Sequence, residues 1–225
     1  IDINIFTLAA TKLTEMGYYV FRMGKKSEKK FLASKDNEMI IDYSFHPQKS
    51  DFLDIFLGST CFFCLSSGCG YDEIPIIFKR PLALIEPQIS YYRTYNSNVM
   101  HIFRKYYDKE NKKVLTLTDL IKKNISHIKH GNELEKENVN LLEPSSQDIL
   151  DLVEDIDFYI KNSFQLNKEN LGLQEKFNDF YKKNFQSEKF LKFINNNTLQ
   201  GWQIDDNFVG KISPTYLKKN NWLLN

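Results

Sequence analysis

The sequence predicts an α/β fold in which a doubly wound parallel sheet is followed by a helical C-terminal region. Short runs of β-branched and aromatic residues (YYVF, MIIDY, CFFCL, LALI) alternate with helically spaced segments as far as residue 85. That is the order expected when helices carry the chain between parallel strands. The runs are short and nearly all apolar, as strands buried on both faces are. With 42% hydrophobic and 14% aromatic residues in 225, there is enough apolar surface for a sizeable core.

The first element is a helix from Ile5 to Met16, with Ile5, Leu8, Ala9, Leu13 and Met16 at helical spacing and Gly17 placed to cap its end. Tyr18–Phe21 and Met39–Tyr43 read as strands. Ser50–Leu57 reads as a short helix capped by Ser50 or Asp51. A strand at Cys61–Leu65, a helix at Tyr71–Phe78 and a strand at Leu82–Ile85 complete the alternation. From Ile89 to Leu142 the chain turns polar, with a Lys/Asn-rich stretch at Lys109–Lys113, and reads as an irregular excursion holding one short helix at Leu117–Lys123. After Pro144, Ser145 and Asp148 form a capping box for a long amphipathic helix through Ile149, Leu152, Val153, Ile156 and Ile160. Helices are expected from there to the end. The division that follows is an α/β domain over residues 1–165 and a helical extension over 166–225, packed on the same domain or crossing from it.

Thirty basic residues against twenty-nine acidic give a formal charge of +1, so no bulk field recruits nucleic acid or an anionic membrane. No run of 18 apolar residues is present, and no transmembrane segment is expected. The chain opens on Ile1 rather than methionine, and the expectation is a piece of something longer. Three cysteines clustered at positions 61, 64 and 69 make a poor disulfide framework and point to a reducing compartment. Cys61-x-x-Cys64 lacks a second such pair, so buried strand thiols are the simpler reading. Asp155-Ile156-Asp157 spells the DxD of metal-dependent transferases but falls mid-helix, and is read as a solvated helix face. His127 and His130 have no carboxylate or cysteine set near them in sequence and are read as polar surface.

The stretch CFFCLSSGCGYDEIP, residues 61–75, carries the chemistry. In an open parallel sheet, ligands bind beyond the carboxyl ends of the strands, where a turn directs backbone N–H groups and a helix N-terminus into the crevice. Gly68 and Gly70 let the backbone approach an anion, Ser66 and Ser67 supply hydroxyls, and the following helix adds a partial positive charge of about half a unit. Arg22 and Lys25 follow the strand YYVF and emerge on the same rim, one a planar fork and the other a mobile point charge. The inferred ligand is a phosphate or diphosphate. Without an anion, Arg22 would be a structural ion-pair partner of Asp42 or Asp54. GxxxxGK[ST] is absent, which argues against a P-loop nucleotidase.

The succession YYVFRMGKK, MIIDYSF and SDFLDIFLGSTCFFCLSSGCGYDEIPIIFKRPLALIEP, with FVGKISPTYLKKNNWLL near the end, resembles a family of bacterial glycosyltransferases of the GT-B fold that assemble surface polysaccharides, and more loosely the fucosyltransferases. The resemblance implies the Rossmann-like, C-terminal donor half of such an enzyme, with an N-terminal acceptor domain missing. It implies Arg22 on the diphosphate of a nucleotide sugar, and Ser66, Ser67, Gly68, Cys69 and Gly70 against phosphate or ribose. Asp72 and Glu73 would cap N–H groups or meet ribose hydroxyls. His46 and Glu86 are further candidates for ligand contact. Cys69 stands where the related turn has serine and Glu86 where asparagine is expected, which leaves donor identity open. The nucleotide sugar is substrate, no cofactor or metal is expected, and the acceptor is a glycan or lipid-linked glycan. A cytoplasmic location, or one peripheral at the inner membrane face, goes with it.

The mechanism implied is metal-independent transfer in which Arg22, Lys25 and the turn amides stabilise the departing nucleoside diphosphate; no catalytic base is named. The closing helix of a GT-B enzyme crosses to the other domain, so Ile212, Tyr216, Leu217 and Trp222 are expected to be partly exposed here. The alternative is a non-catalytic α/β module that scaffolds a polysaccharide-synthesis complex. A sugar-nucleotide epimerase is disfavoured by the absence of GxGxxG.

Overall fold

The computed structural model describes residues 1–24, 28–86, 89, 98–126, 128, 131–185 and 210–224. It is a mixed α/β structure around a four-stranded parallel sheet. Helix α1 (Thr7–Glu15) leads into β1 (Val20–Phe21), which pairs in parallel with β2 (Ile40–Ile41) as a two-stranded ribbon. Helix α2 (Asp51–Thr60) is capped by Ser50, whose Oγ accepts from Leu53 N at 3.2 Å. Strand β3 (Cys64–Ser66) starts the larger sheet, and a 3₁₀ turn with the short helix α3 (Glu73–Ile77) returns the chain to β4 (Leu82–Glu86). Beside β4 lies β5 (Val99–Phe103), every residue of it buried.

Alternate residues of β4 face opposite layers. Leu82 and Leu84 join Val99 on the side where Ile76 of α3 packs, while Ala83 and Ile85 enter the main core. That core is closed by α6 (Ser146–Lys161), α7 (Lys168–Phe185) and α8 (Pro214–Lys219), through Ile149, Val153, Ile156, Phe177 and Tyr216. Helix α1 packs on α6. Both faces of the sheet are therefore covered, which is why its strands are apolar without alternation.

The stretch read as irregular proves structured. Strand β5 passes through Arg104 into β6 (Lys105–Asp108), which pairs antiparallel with β7 (Lys113–Val114) and β8 (Val139–Leu142). The Lys/Asn-rich stretch is the hairpin turn between β6 and β7. Asp108 organises it, accepting from Glu110 N, Asn111 N and Asn111 Nδ2, each at 3.0 Å. Helices α4 (Leu117–Lys122) and α5 (Gly131–Lys136) complete this part. The Ser145–Asp148 capping box is present at the start of α6, with both reciprocal bonds at 3.0 Å.

The C-terminal segment joins the sheet rather than leaving it. Strand β9 (Lys211–Ile212) pairs in parallel with β5 at the edge opposite β3. Ile212, Tyr216 and Leu217 are buried, and of the four expected apolar exposures only Trp222 is partly open. The correction has a plain cause: α8 lays its apolar face on this chain's own α6 and α7, and the Tyr216 hydroxyl donates to Phe103 O of β5. Asp155 is likewise not on a solvated face, because it caps α8 by accepting from Ser213 Oγ at 2.5 Å and from Thr215 N and Oγ1 at 2.9 Å. Asp157 is buried and accepts from the Tyr18 hydroxyl at 2.6 Å and pairs with Lys161 at 2.9 Å. The DxD spelling thus fastens α6 to two distant segments. His127 and His130 lie outside the described residues. Among those described, no helix is long and apolar enough to cross a membrane, and no group of three His, Cys, Asp or Glu side chains is arranged to hold a metal ion.

Candidate functional site

The ribbon β1–β2 and the sheet beginning at β3 are not hydrogen-bonded to each other. Both pack on the same core through Val20 and Leu65. Between them lies a cavity of about 700 Å³, walled by β1 and Arg22 on one side and by Phe63, β3 and Ser67, Cys69, Tyr71 and Asp72 of the turn on the other; Gly68 and Gly70 are not part of the wall. The amino ends of the strands give it an apolar, aromatic wall, where Tyr18 and Phe62 stack with centroids 5.3 Å apart. The carboxyl ends give it Arg22, Ser66, Ser67, Cys69 and Asp72.

The turn is built by its own hydrogen bonds. Ser66 Oγ accepts from Gly68 N at 3.1 Å and lies 3.8 Å from Cys69 Sγ. Gly68 has φ +82, a left-handed conformation in which a side chain is strained, although a Cβ would meet nothing within 4 Å. Asp72 is fully buried; its carboxylate accepts from Cys69 N at 2.9 Å and from Cys69 Sγ at 3.5 Å. It therefore caps the 3₁₀ turn. The helix behind the turn is only five residues long beyond a 3₁₀ turn, and with a carboxylate on its first amides it has little dipole to offer. Gly70 is exposed and has open space around a would-be Cβ; Glu73 is exposed and is not part of the cavity wall.

Arg22 reaches the cavity from the end of β1 and is anchored by Asp42, which follows β2. The register Phe21↔Ile41 places the two residues side by side. Arg22 Nη1 donates to Asp42 Oδ1 at 3.0 Å and also to Ser44 Oγ. The guanidinium lies 5.7 Å from the Phe45 ring centroid. Asp42, rather than Asp54, is thus the carboxylate that meets Arg22. Lys25 lies outside the described residues. His46 is exposed, stacks on Tyr43 with centroids 6.3 Å apart, and is not in the cavity wall. The backbone of Glu86 ends β4.

All three thiols are free and line the cavity. Burial pushes Cys61 and Cys69 above the ordinary thiol range and Cys64 well above it, with the neighbouring Asp72 adding to the rise at Cys64 and Cys69. Such thiols stay protonated and are poor nucleophiles at neutral pH. Tyr71, also in the wall, is pushed up by burial, and its hydroxyl donates to Asp54 O at 2.9 Å. Sequence reasoning missed Phe62, Phe63 and Tyr71 as wall residues. Their signal, apolar residues flanking a strand, is the same one that marks a core.

No protein-family model, curated protein or solved structure matches the chain.

Proposed function

We propose that the cavity between β1 and β3 binds a nucleotide sugar, and that the chain is the donor-binding part of a metal-independent glycosyltransferase, with a Rossmann-like sheet of the GT-B kind. One observation carries the reading. The parallel ribbon β1–β2 and the parallel sheet β3–β4–β5–β9 are separate ladders, and the cavity opens between β1 and β3, with Arg22 and the Ser66–Ser67 turn at the carboxyl ends of those two strands. Ligands of α/β proteins bind beyond the carboxyl ends of parallel strands, where the loops leaving them supply polar groups. About 700 Å³ lies within the range of small-ligand sites, and an apolar body with a few convergent polar groups is their usual lining. Arg22 and the Ser66–Ser67 turn supply those groups at one end.

In this reading Arg22 stabilises negative charge on the leaving diphosphate, the hydroxyls of Ser66 and Ser67 bind its oxygens, and the aromatic end holds the rest of the nucleotide. The acceptor is a glycan or lipid-linked glycan. A thermal-shift panel of UDP, GDP, CMP and dTDP with their sugar conjugates tests it. A ligand at about 100 times its dissociation constant raises stability by roughly 2.7 kcal/mol. Titrating wild type, Arg22→Lys and Arg22→Ala with the best nucleoside diphosphate then tests the residue. The expected loss for alanine is about 10- to 100-fold, partly recovered by lysine, which lacks the planar fork. No shift with any nucleotide, or equal affinities across the three proteins, refutes the respective claim.

A second reading is a scaffolding module without catalysis. Its supporting observation is the row of exposed apolar side chains on α2 and α3, with Phe52 at 74% and Ile77 at 70% exposure, a surface of the kind that partners cover. Nucleotide binding without sugar transfer would favour it.

A further inference from the structure

The geometry points to Asp42 as a positioning residue that aims one edge of the Arg22 guanidinium into the cavity, an inference that rests on the donor reading. Asp42 is itself fixed at both oxygens. Its Oδ1 accepts from Arg22 Nη1 at 3.0 Å and from Ser44 Oγ at 3.2 Å, and its Oδ2 accepts from Phe31 N at 2.8 Å. The side chains of Arg22 and Asp42 are 12% and 10% exposed, so neither swings freely. A guanidinium has five N–H donors in one plane. The Asp42–Ser44 pair engages Nη1 alone, and among the described residues no group accepts from Nε or Nη2. Those two nitrogens form the other fork of the same plane. Arg22 lines the cavity, and a fork held in one plane meets two phosphate oxygens at once with less ordering on binding than a loose side chain. The carboxylate that pairs with Arg22 is therefore also what orients it. A phosphate oxygen pair in the cavity does not need to displace Asp42.

The test separates orientation from folding by comparing a ligand that has phosphates with one that lacks them. Wild type, Asp42→Asn and Ser44→Ala are titrated calorimetrically with UDP and uridine and with GDP and guanosine. Asp42→Asn is expected to weaken the nucleoside diphosphate about 5- to 20-fold and to leave the nucleoside within two-fold. Ser44→Ala removes a hydroxyl that touches both partners and is expected to show the same selective pattern, two- to five-fold, with little effect on the fold. Asp42→Glu restores the charge and is expected to recover part of the loss. Equal losses for nucleoside and diphosphate mark a purely structural residue and overturn the inference, as do unchanged affinities in both variants. Wild-type protein that binds none of the four compounds, and neither CMP nor dTDP, removes the donor reading itself, a different failure from the other two.

Discussion

Gly58 sits in the third turn of α2, against Ile74 of α3 and Tyr71 of the turn before it. A Cβ at this position would lie 2.7 Å from Ile74 Cγ2, 2.9 Å from Tyr71 Oη and 3.2 Å from Ile74 Cβ. Replacing a helix-interior glycine by alanine ordinarily gains about 1 kcal/mol from backbone entropy. Here the added methyl forces two neighbours to move. Overpacking of this kind costs about 1–3 kcal/mol, and displacing Tyr71 also threatens its bond to Asp54 O, a further ~1 kcal/mol. The balance for Gly58→Ala is a net loss of about 1–3 kcal/mol. Urea unfolding followed by circular dichroism should show a lower midpoint with an unchanged slope. In the double variant Gly58→Ala/Ile74→Ala the contact at 2.7 Å is gone, so the two changes should be less than additive. Tyr71 lines the cavity, so the single variant should also weaken any ligand held there. A variant as stable as wild type, or more stable, would refute the close approach of α2 and α3.

Three further outcomes are expected. Asp155→Ala leaves Ser213 and Thr215 without their acceptor at the start of α8, so it should lower stability by about 1–2 kcal/mol and raise amide exchange across Pro214–Lys219. The hydrogen bonds from Asn111, backbone first, and the nearby Lys123 hold Asp108 down at about 2; its contribution to stability is present above the ordinary carboxylate range and is lost as pH falls through the lowered value, so Asp108→Asn should flatten the pH dependence of unfolding between about pH 4 and 2. Because burial raises all three thiols, maleimide at pH 7 should label Cys69 and Cys61 more slowly than a free thiol, and Cys64 slowest until the protein unfolds; rapid labelling of Cys64 in the native state would contradict its placement.

The sequence by itself determined those features that depend on neighbours in the chain. The caps at Ser50 and at Ser145–Asp148 were legible because a side chain reaches an amide three residues on whatever the rest of the protein does. The same holds for the presence of β1 to β4, though not for their bounds, since of Cys61–Leu65 only Cys64 and Leu65 are strand and β3 runs on to Ser66, and for the turn at Gly68, whose left-handed φ matches the residue placed there. Tertiary structure alone decided the rest. Val99–Phe103 is a fully buried strand of the sheet, but a five-residue run containing His101 and bounded by Asn98 and Arg104 has no period to betray it, and only its pairing with β4 and β9 makes it one. Asp155 and Asp157 look like a motif or a wet helix face until α8 and Tyr18, 60 and 139 residues away in sequence, supply their donors. Arg22 and Asp42 become partners only through the register of β1 on β2. The cavity is the clearest case. Its wall residues are coded like core residues, and what makes them a wall is that β1 and β3 share one core without sharing a hydrogen-bond ladder.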